Sequence, residues 1–230
     1  MINITLPEDS IARRLPFYLA MEEYVARQQL TDDAFFLWQV EPSVIYGRNQ
    51  VVENEVNQEY CHEHGIQVYQ RRSGGGCVYA DRDNLMLSYI AKEQQVGFAF
   101  NRFVNMLLLV LRKMGIEATG TRHNDIMIGD RKVCGTACRV TPYGCVVHST
   151  MLYDTNMQHM LQAITPSREK LAKNGVESVR QRITLLKDYT SLSLEEIKML
   201  IIQTLCDKEY QLTEADVCAI EEIENTQIVK

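Results

Sequence analysis

Ten residues of this chain, Gln70-Arg71-Arg72-Ser73-Gly74-Gly75-Gly76-Cys77-Val78-Tyr79, set two guanidinium groups just before three consecutive glycines. Glycine loses more chain entropy on ordering than any other residue, so a run of them in a folded protein answers a need for bare backbone. Successive N–H groups without side chains form a concave nest for an anion, and arginine supplies forked donors suited to phosphate or carboxylate. The competing reading is a flexible surface turn. The segment has neither the Walker A pattern nor the GxGxxG spacing, which disfavours the common phosphate-loop folds. A strand resumes directly after it at Asp81-Arg82-Asp83-Asn84-Leu85, and a loop framed in this way is held at a sheet end.

A second cluster joins Asn124-Asp125-Ile126 to Gly129-Asp130-Arg131-Lys132-Val133-Cys134-Gly135-Thr136-Ala137, where Lys132 opens a strand of small residues. Alone, a lysine beside a turn is a solvated side chain. The cysteines (61, 77, 134, 138, 145, 206 and 218) are odd in number and contain no CxxC pair, which argues against a disulfide framework and a zinc ribbon and leaves buried thiols. Cys61-His62-Glu63-His64 invites a metal reading, but on the helix expected there neighbouring and i+2 side chains diverge.

The elements that must position these groups follow from periodicity and punctuation. Phe17, Met21, Tyr24 and Val25 behind Pro16 predict a helix over Pro16 to Gln29. Extended segments are expected at Ala34 to Val40, Val44 to Tyr46 and Ile66 to Arg71, with a helix from Glu53 to His64 ending at Gly65. Leu85 to Ile90 alternates as a strand. Phe100, Phe103, Val104, Leu107, Leu108 and Leu111 form a core-facing helical stripe that stops near Gly115. A hairpin about Gly129-Asp130-Arg131 and the Pro142-Tyr143-Gly144 turn organise Asp125 to Tyr153 as an antiparallel meander. Ser193 with Glu196 spells a capping box for a helix through Leu205, and Thr213 with Asp216 a weaker start before Val217 to Glu224.

At 230 residues, 46% hydrophobic and 23% charged, the composition is that of an ordinary globular chain. The net charge of -6 gives nucleic acid no bulk attraction, so any phosphate must be held locally. The longest apolar run, Met106 to Leu111, is far too short to span a bilayer, and no export signal opens the chain, so no membrane partner and a cytoplasmic location are expected. No repeat or linker divides it; the polar stretch Thr165 to Gln181 is the one candidate boundary.

Taken together, Ser43-Val44-Ile45-Tyr46-Gly47-Arg48-Asn49-Gln50, the RRSGGGCVYAD loop, Asn124-Asp125-Ile126, GDRKVCGTA, His148-Ser149-Thr150 and Ser178-Val179-Arg180-Gln181-Arg182-Ile183-Thr184 resemble the lipoate-protein ligase A family. The match runs from Trp38 to about Leu186, with the motifs in the family's order. The resemblance implies an α+β fold, a central mostly antiparallel sheet flanked by helices, of the kind shared by biotin-protein ligases and class II synthetases. It implies a single catalytic domain over residues 1–230, lacking the C-terminal accessory domain of two-domain ligases. The implied chemistry joins (R)-lipoate to AMP from ATP with Mg2+ and then passes the lipoyl group to a lysine amine.

By the same resemblance Lys132 is the catalytic lysine. Arg71, Ser73, Gly74, Gly75, Gly76, Cys77, Val78, Tyr79, Asn84, Asn124 and Asp125 join it in binding ATP and lipoyl-AMP, and Gly135, Thr136, Ala137 and His148 take the lipoyl chain. No side-chain cluster fixes a metal, and Asp125 is the candidate ligand for the nucleotide's Mg2+. The implied partners are lipoyl carrier domains of 2-oxoacid dehydrogenase complexes or the glycine cleavage H protein, with a separate protein bearing the accessory domain as a further candidate. The chain departs from the family's usual pattern at Gln70, Ala80 and Ser149, where arginine, histidine and glycine are common. Two alternatives stand beside the ligase: an octanoyl or lipoyl transferase using a pre-activated or protein-bound donor, with Cys134, Cys138 or Cys145 as nucleophile, and a non-catalytic sensor.

Overall fold

The computed structural model describes residues 1–7, 13–122, 125–164 and 182–227. In its first half run β1 (Ile2–Thr5), α1 (Leu15–Arg27), β2 (Ala34–Trp38), β3 (Ser43–Tyr46), α2 (Val52–Glu55), α3 (Gln58–Glu63), β4 (Gln67–Gln70), β5 (Val78–Ala80), β6 (Asn84–Ala91) and α4 (Val96–Lys113). There follow β7 (Thr119–Gly120), β8 (Asp125–Ile128), β9 (Arg131–Thr141), β10 (Gly144–Leu152), α5 (Met157–Ala163), α6 (Leu194–Leu205), β11 (Lys208–Gln211) and α7 (Glu214–Gln227). Asn124, Thr165 to Gln181 and hence most of the Ser178 to Thr184 motif lie outside the described residues.

Eight strands form the central sheet in the order β11-β1-β2-β6-β10-β9-β8-β7. The pairs of β1 with β2 and with β11 are parallel, and the rest are antiparallel. The expected α+β fold with a mostly antiparallel sheet is therefore present. Its middle strands β6 and β10 are buried along their whole length, which is why helices must cover both faces. On one face Phe35, Leu85, Leu87, Tyr89 and Val147 pack with Phe103, Leu107 and Leu111 of α4 and Ile197 and Ile201 of α6. On the other, Phe36, Trp38, Met86, Ile90 and Val146 meet Phe17, Met21 and Val25 of α1 and Val217 and Ile220 of α7. Each such large side chain contributes about 1.5–3 kcal/mol by leaving water.

A second sheet, β4-β3-β5, was not foreseen from the sequence and explains the path of the glycine segment. Strand β4 runs parallel to β3, pairing Tyr46 with Gln70, while β5 runs antiparallel on the other side, pairing Ile45 with Val78. The chain from Arg71 to Cys77 must therefore cross the end of β3 where Gly47 begins. The helix expected over Glu53 to His64 is two pieces, because Val56 is extended (φ -128°, ψ 129°) and forms a β-bridge with Ile164. Asn57 then restarts the helix, its side chain accepting from the Tyr60 N–H at 3.1 Å.

Candidate active site

The glycine loop is shaped by Arg71, whose side chain is buried (5% exposed) and turned inward. Its Nη2 donates to the carbonyls of Gly74 at 2.8 Å and Gly76 at 2.6 Å, and its Nη1 to that of Ile45 at 3.1 Å. Its Nε donates to Ser73 Oγ at 3.0 Å and Gly74 O at 3.2 Å. Burial pulls its guanidinium below the usual arginine range, but a group with so high an ordinary value stays charged. The crossing over β3 is too close for side chains: a methyl on Gly47 would stand 2.4 Å from Gly75 O, and Gly75 itself has φ +97°. The Arg48 N–H donates to Ser73 O at 3.0 Å, fixing the loop on the small sheet.

Opposite the loop, Asp125 on β8 faces Gly135 on β9 across the ladder, and a bulge lies between Ile126 and Met127. The missing side chain at 135 leaves room for Lys132 to fold over. Its Nζ rests 2.7 Å from Asp125 Oδ1 and 2.7 Å from where a methyl on Gly135 would sit. Its backbone is held on the far side by bonds to Arg182 O at 2.7 Å and from the Thr184 N–H at 2.9 Å. The ammonium is partly exposed (side chain 37%), so a ligand in the cleft can reach it.

Between loop and lysine lies a cavity of about 290 Å³. Arg71, Gly75, Gly76, Cys77 and Val78 line it from the loop side, and Asp125, Lys132, Gly135, Thr136, Ala137 and His148 from the sheet. A neighbouring cavity of about 440 Å³ shares Leu19, Arg71 and His148 and adds Ser73, Glu22 and Arg139. Most residues expected at the site are thus brought together. Gly74 lines neither cavity, its carbonyl being held by Arg71, and two further residues are packed elsewhere. Tyr79 packs with Val44, Cys61 and Met160, and buried Asn84 donates to Tyr79 O at 3.4 Å and accepts from Thr155.

Sequence reasoning missed Leu19, Trp38, Ile45, Met86 and Thr150 on the walls, and above all Glu22. Glu22 is 1% exposed and contacts His148 Nδ1 at 3.1 Å. The signal was available: Glu22 stands in the helical row Leu15, Leu19, Glu22, Ala26, where an ordinary surface carboxylate has no place.

The cysteines near the site are protonated. Burial pushes the thiols of Cys134 and Cys138 up to about 12, and burial followed by the nearby Glu55 does the same for Cys77. Burial also raises Cys145. Among the described residues no group of three or more His, Cys, Asp or Glu is placed to hold a metal ion, and Cys61 with His62, Glu63 and His64 forms no such group.

The family model of the lipoyl protein ligase A/B catalytic domain matches residues 15–206. The chain belongs to this family. Lipoate-protein ligase 1 of Staphylococcus aureus is 34% identical over 215 residues, 90% of this chain, which spans 66% of that relative's own length. LplJ, a lipoate-protein ligase of Bacillus subtilis, is 32% identical over 86% of this chain, which spans 63% of it. The fold is also that of a bi-partite archaeal lipoate protein ligase from Thermoplasma acidophilum, solved in a study that includes its E2 lipoyl domain. It has a TM-score of 0.83 at 24% identity and covers 98% of this chain and 93% of its own. A lipoate-protein ligase A bound with ATP superposes with a TM-score of 0.82 at 23% identity, covering 97% and 94%. The described helices include none long and apolar enough to cross a membrane.

Proposed function

We propose that this chain activates lipoate with ATP to lipoyl-AMP and transfers the lipoyl group to a specific lysine of a carrier domain. The observation that carries the reading is the Lys132 ammonium, held beside Asp125 at 2.7 Å on the rim of a cavity whose opposite wall includes the bare backbone of Gly75 and Gly76. Activation brings a carboxylate against the α-phosphate of ATP, two anions whose repulsion must be offset in a cleft that excludes bulk water. Lys132 supplies the cation, and Gly75 and Gly76 supply backbone that approaches phosphate oxygens without a side chain between. The carboxylate oxygen bonds to phosphorus and pyrophosphate leaves. In the second step the neutral carrier amine attacks the acyl carbonyl, which Lys132 polarises; the acyl–phosphate C–O bond breaks, AMP leaves, and the amine gives up a proton to solvent as the amide forms.

Thr136, Ala137 and His148 line the wall along which the acyl chain would lie, and Gly135 gives Lys132 its space. Asp125, in reach of the cavity, is the carboxylate that would share the nucleotide's Mg2+. One carboxylate suffices, because Mg2+ takes most of its ligands from phosphate and water, and the ion would neutralise charge on the departing phosphates. Asn124 is assigned to the adenylate by sequence alone. The carrier is proposed to be a lipoyl domain of a 2-oxoacid dehydrogenase complex or the glycine cleavage H protein, in the cytoplasm. A separate protein carrying the accessory domain is a candidate partner. The bi-partite archaeal ligase and its E2 lipoyl domain support both proposals.

The transferase alternative needs a low-pKa thiol, whereas the thiols of buried Cys134 and half-buried Cys138 are pushed up to about 12. The test is ATP–pyrophosphate exchange with and without lipoate. Lipoate-dependent exchange is expected, and Lys132→Ala should lower it by about two to three orders of magnitude with the melting temperature kept. Unchanged turnover in that variant overturns the assignment; tight lipoyl-AMP binding without exchange would return the transferase.

A further inference from the structure

Glu22 is a fully buried carboxylate on the face of α1 that packs on the central sheet. Such a group persists only where donors and positive charge replace water. Here Ser88 Oγ donates to its Oε1 at 2.7 Å, and the indole N–H of Trp38, the chain's single tryptophan, donates to Ser88 Oγ at 2.9 Å. His148 Nδ1 lies 3.1 Å from Oε1 and 3.2 Å from Oε2. Burial pushes the Glu22 carboxyl up, but the charge and hydrogen bond of His148, with Arg139 and Ser88, outweigh it and hold it below the usual carboxylate range.

An ionised acceptor at Nδ1 settles how the ring is used. The Nδ1 proton belongs to the bond with Glu22, and Nε2 is presented to Ser73 Oγ at 2.9 Å in either charge state of the ring. Ser73 Oγ in turn accepts from Arg71 Nε, the same guanidinium that gathers the carbonyls of Gly74 and Gly76. The loop is thereby tied twice: to the small sheet through Ile45 O and the Arg48 N–H, and to the large sheet through His148.

We propose that Glu22 is a positioning residue for the glycine loop. Braced by Ser88, it fixes the His148 ring, and His148 fixes Ser73 and the Arg71 clamp that sets where the loop's backbone stands against Lys132. The inference rests on the reading of that loop as the adenylate cradle, and its test separates the two.

The probe is the loop itself, followed by hydrogen–deuterium exchange across residues 71–79 in the purified chain without substrate. Glu22→Gln and Ser73→Ala should each speed exchange there by about tenfold, with α4 unchanged. In ATP–pyrophosphate exchange the same variants should raise KM for ATP more than they lower kcat. The double variant should be little worse than either single one, because both cut one line of contacts. If Glu22→Gln does not fold, Ser88→Ala, which leaves carboxylate and imidazole in place, carries the same readouts. A loop that exchanges at the native rate in these variants, or fully additive losses, overturns the proposal. Faster loop exchange in a chain whose native form shows no pyrophosphate exchange would keep Glu22 as the loop's anchor and overturn the adenylating reading instead.

Discussion

Lys132 reaches Asp125 across a residue with no side chain, so the geometry of the site's central cation depends on Gly135. In Gly135→Ala the new methyl would fall 2.7 Å from Nζ and 2.8 Å from Cε, and the flexible lysine end must swing away while the strand stays put. The expected result is a loss of about a hundredfold in kcat/KM with a melting temperature near that of the native chain, since displacement of a reacting group by an ångström costs that much. Equal activity in the variant would mean that the lysine's seat is irrelevant. At this scale the sequence was most informative where residue types are costly: triple glycine, paired arginines and a lysine among small residues. It was least informative for Glu22 and Ser88, whose meaning comes from residues 126 and 66 positions away. For Arg71 it pointed to the right loop, while only the structure shows the guanidinium holding the loop's own carbonyls.

Among the elements, those with a local cause were legible. The helices α1, α4 and α6 and the β9–β10 hairpin sit where stripes, caps and turn residues put them. The capping box is present in both directions, with Ser193 Oγ accepting from the Glu196 N–H at 3.3 Å and Glu196 Oε2 from the Ser193 N–H at 2.8 Å. Ser193→Ala should therefore cost about 1 kcal/mol in urea unfolding and leave acyl transfer unaltered, because α6 packs on the face of the sheet away from α1 and Glu22. No measurable change in stability would show that the cap is redundant. What the sequence hid are elements made by distant partners. Strand β1 is four residues long and finds its parallel neighbour β11 at Lys208–Gln211, a pairing with no local periodicity to announce it. The break between α2 and α3 likewise comes from Val56 pairing with Ile164.

For the molecule as a whole, three shifted thiols act together, that of the buried Cys134 and those of the half-buried Cys77 and Cys138. Cys77, Cys134 and Cys138 are pushed up to about 12, so the folded chain keeps protons that the unfolded chain releases above about pH 8.5. Their contribution is complete below that value and is lost as pH rises toward the folded values, by up to about 1.4 kcal/mol per pH unit for each thiol. The melting temperature should fall as pH rises from about pH 8.5 to about pH 10, and Cys134→Ala should flatten the fall. An unchanged slope in that variant would contradict the burial of its proton.

The pairing of Lys132 with Asp125 also bears on which molecules are admitted. In the cleft this ammonium is already matched by a carboxylate, so it offers a passing anion little free positive charge of its own. An arriving carboxylate or phosphate wins the lysine only by trading places with Asp125 or sharing it, an exchange that creates no surplus of charge contacts. Selection then falls to fit: a loose phosphate gains nothing from the swap, whereas a molecule long enough to press on the glycine backbone while it reaches the lysine gains both walls at once.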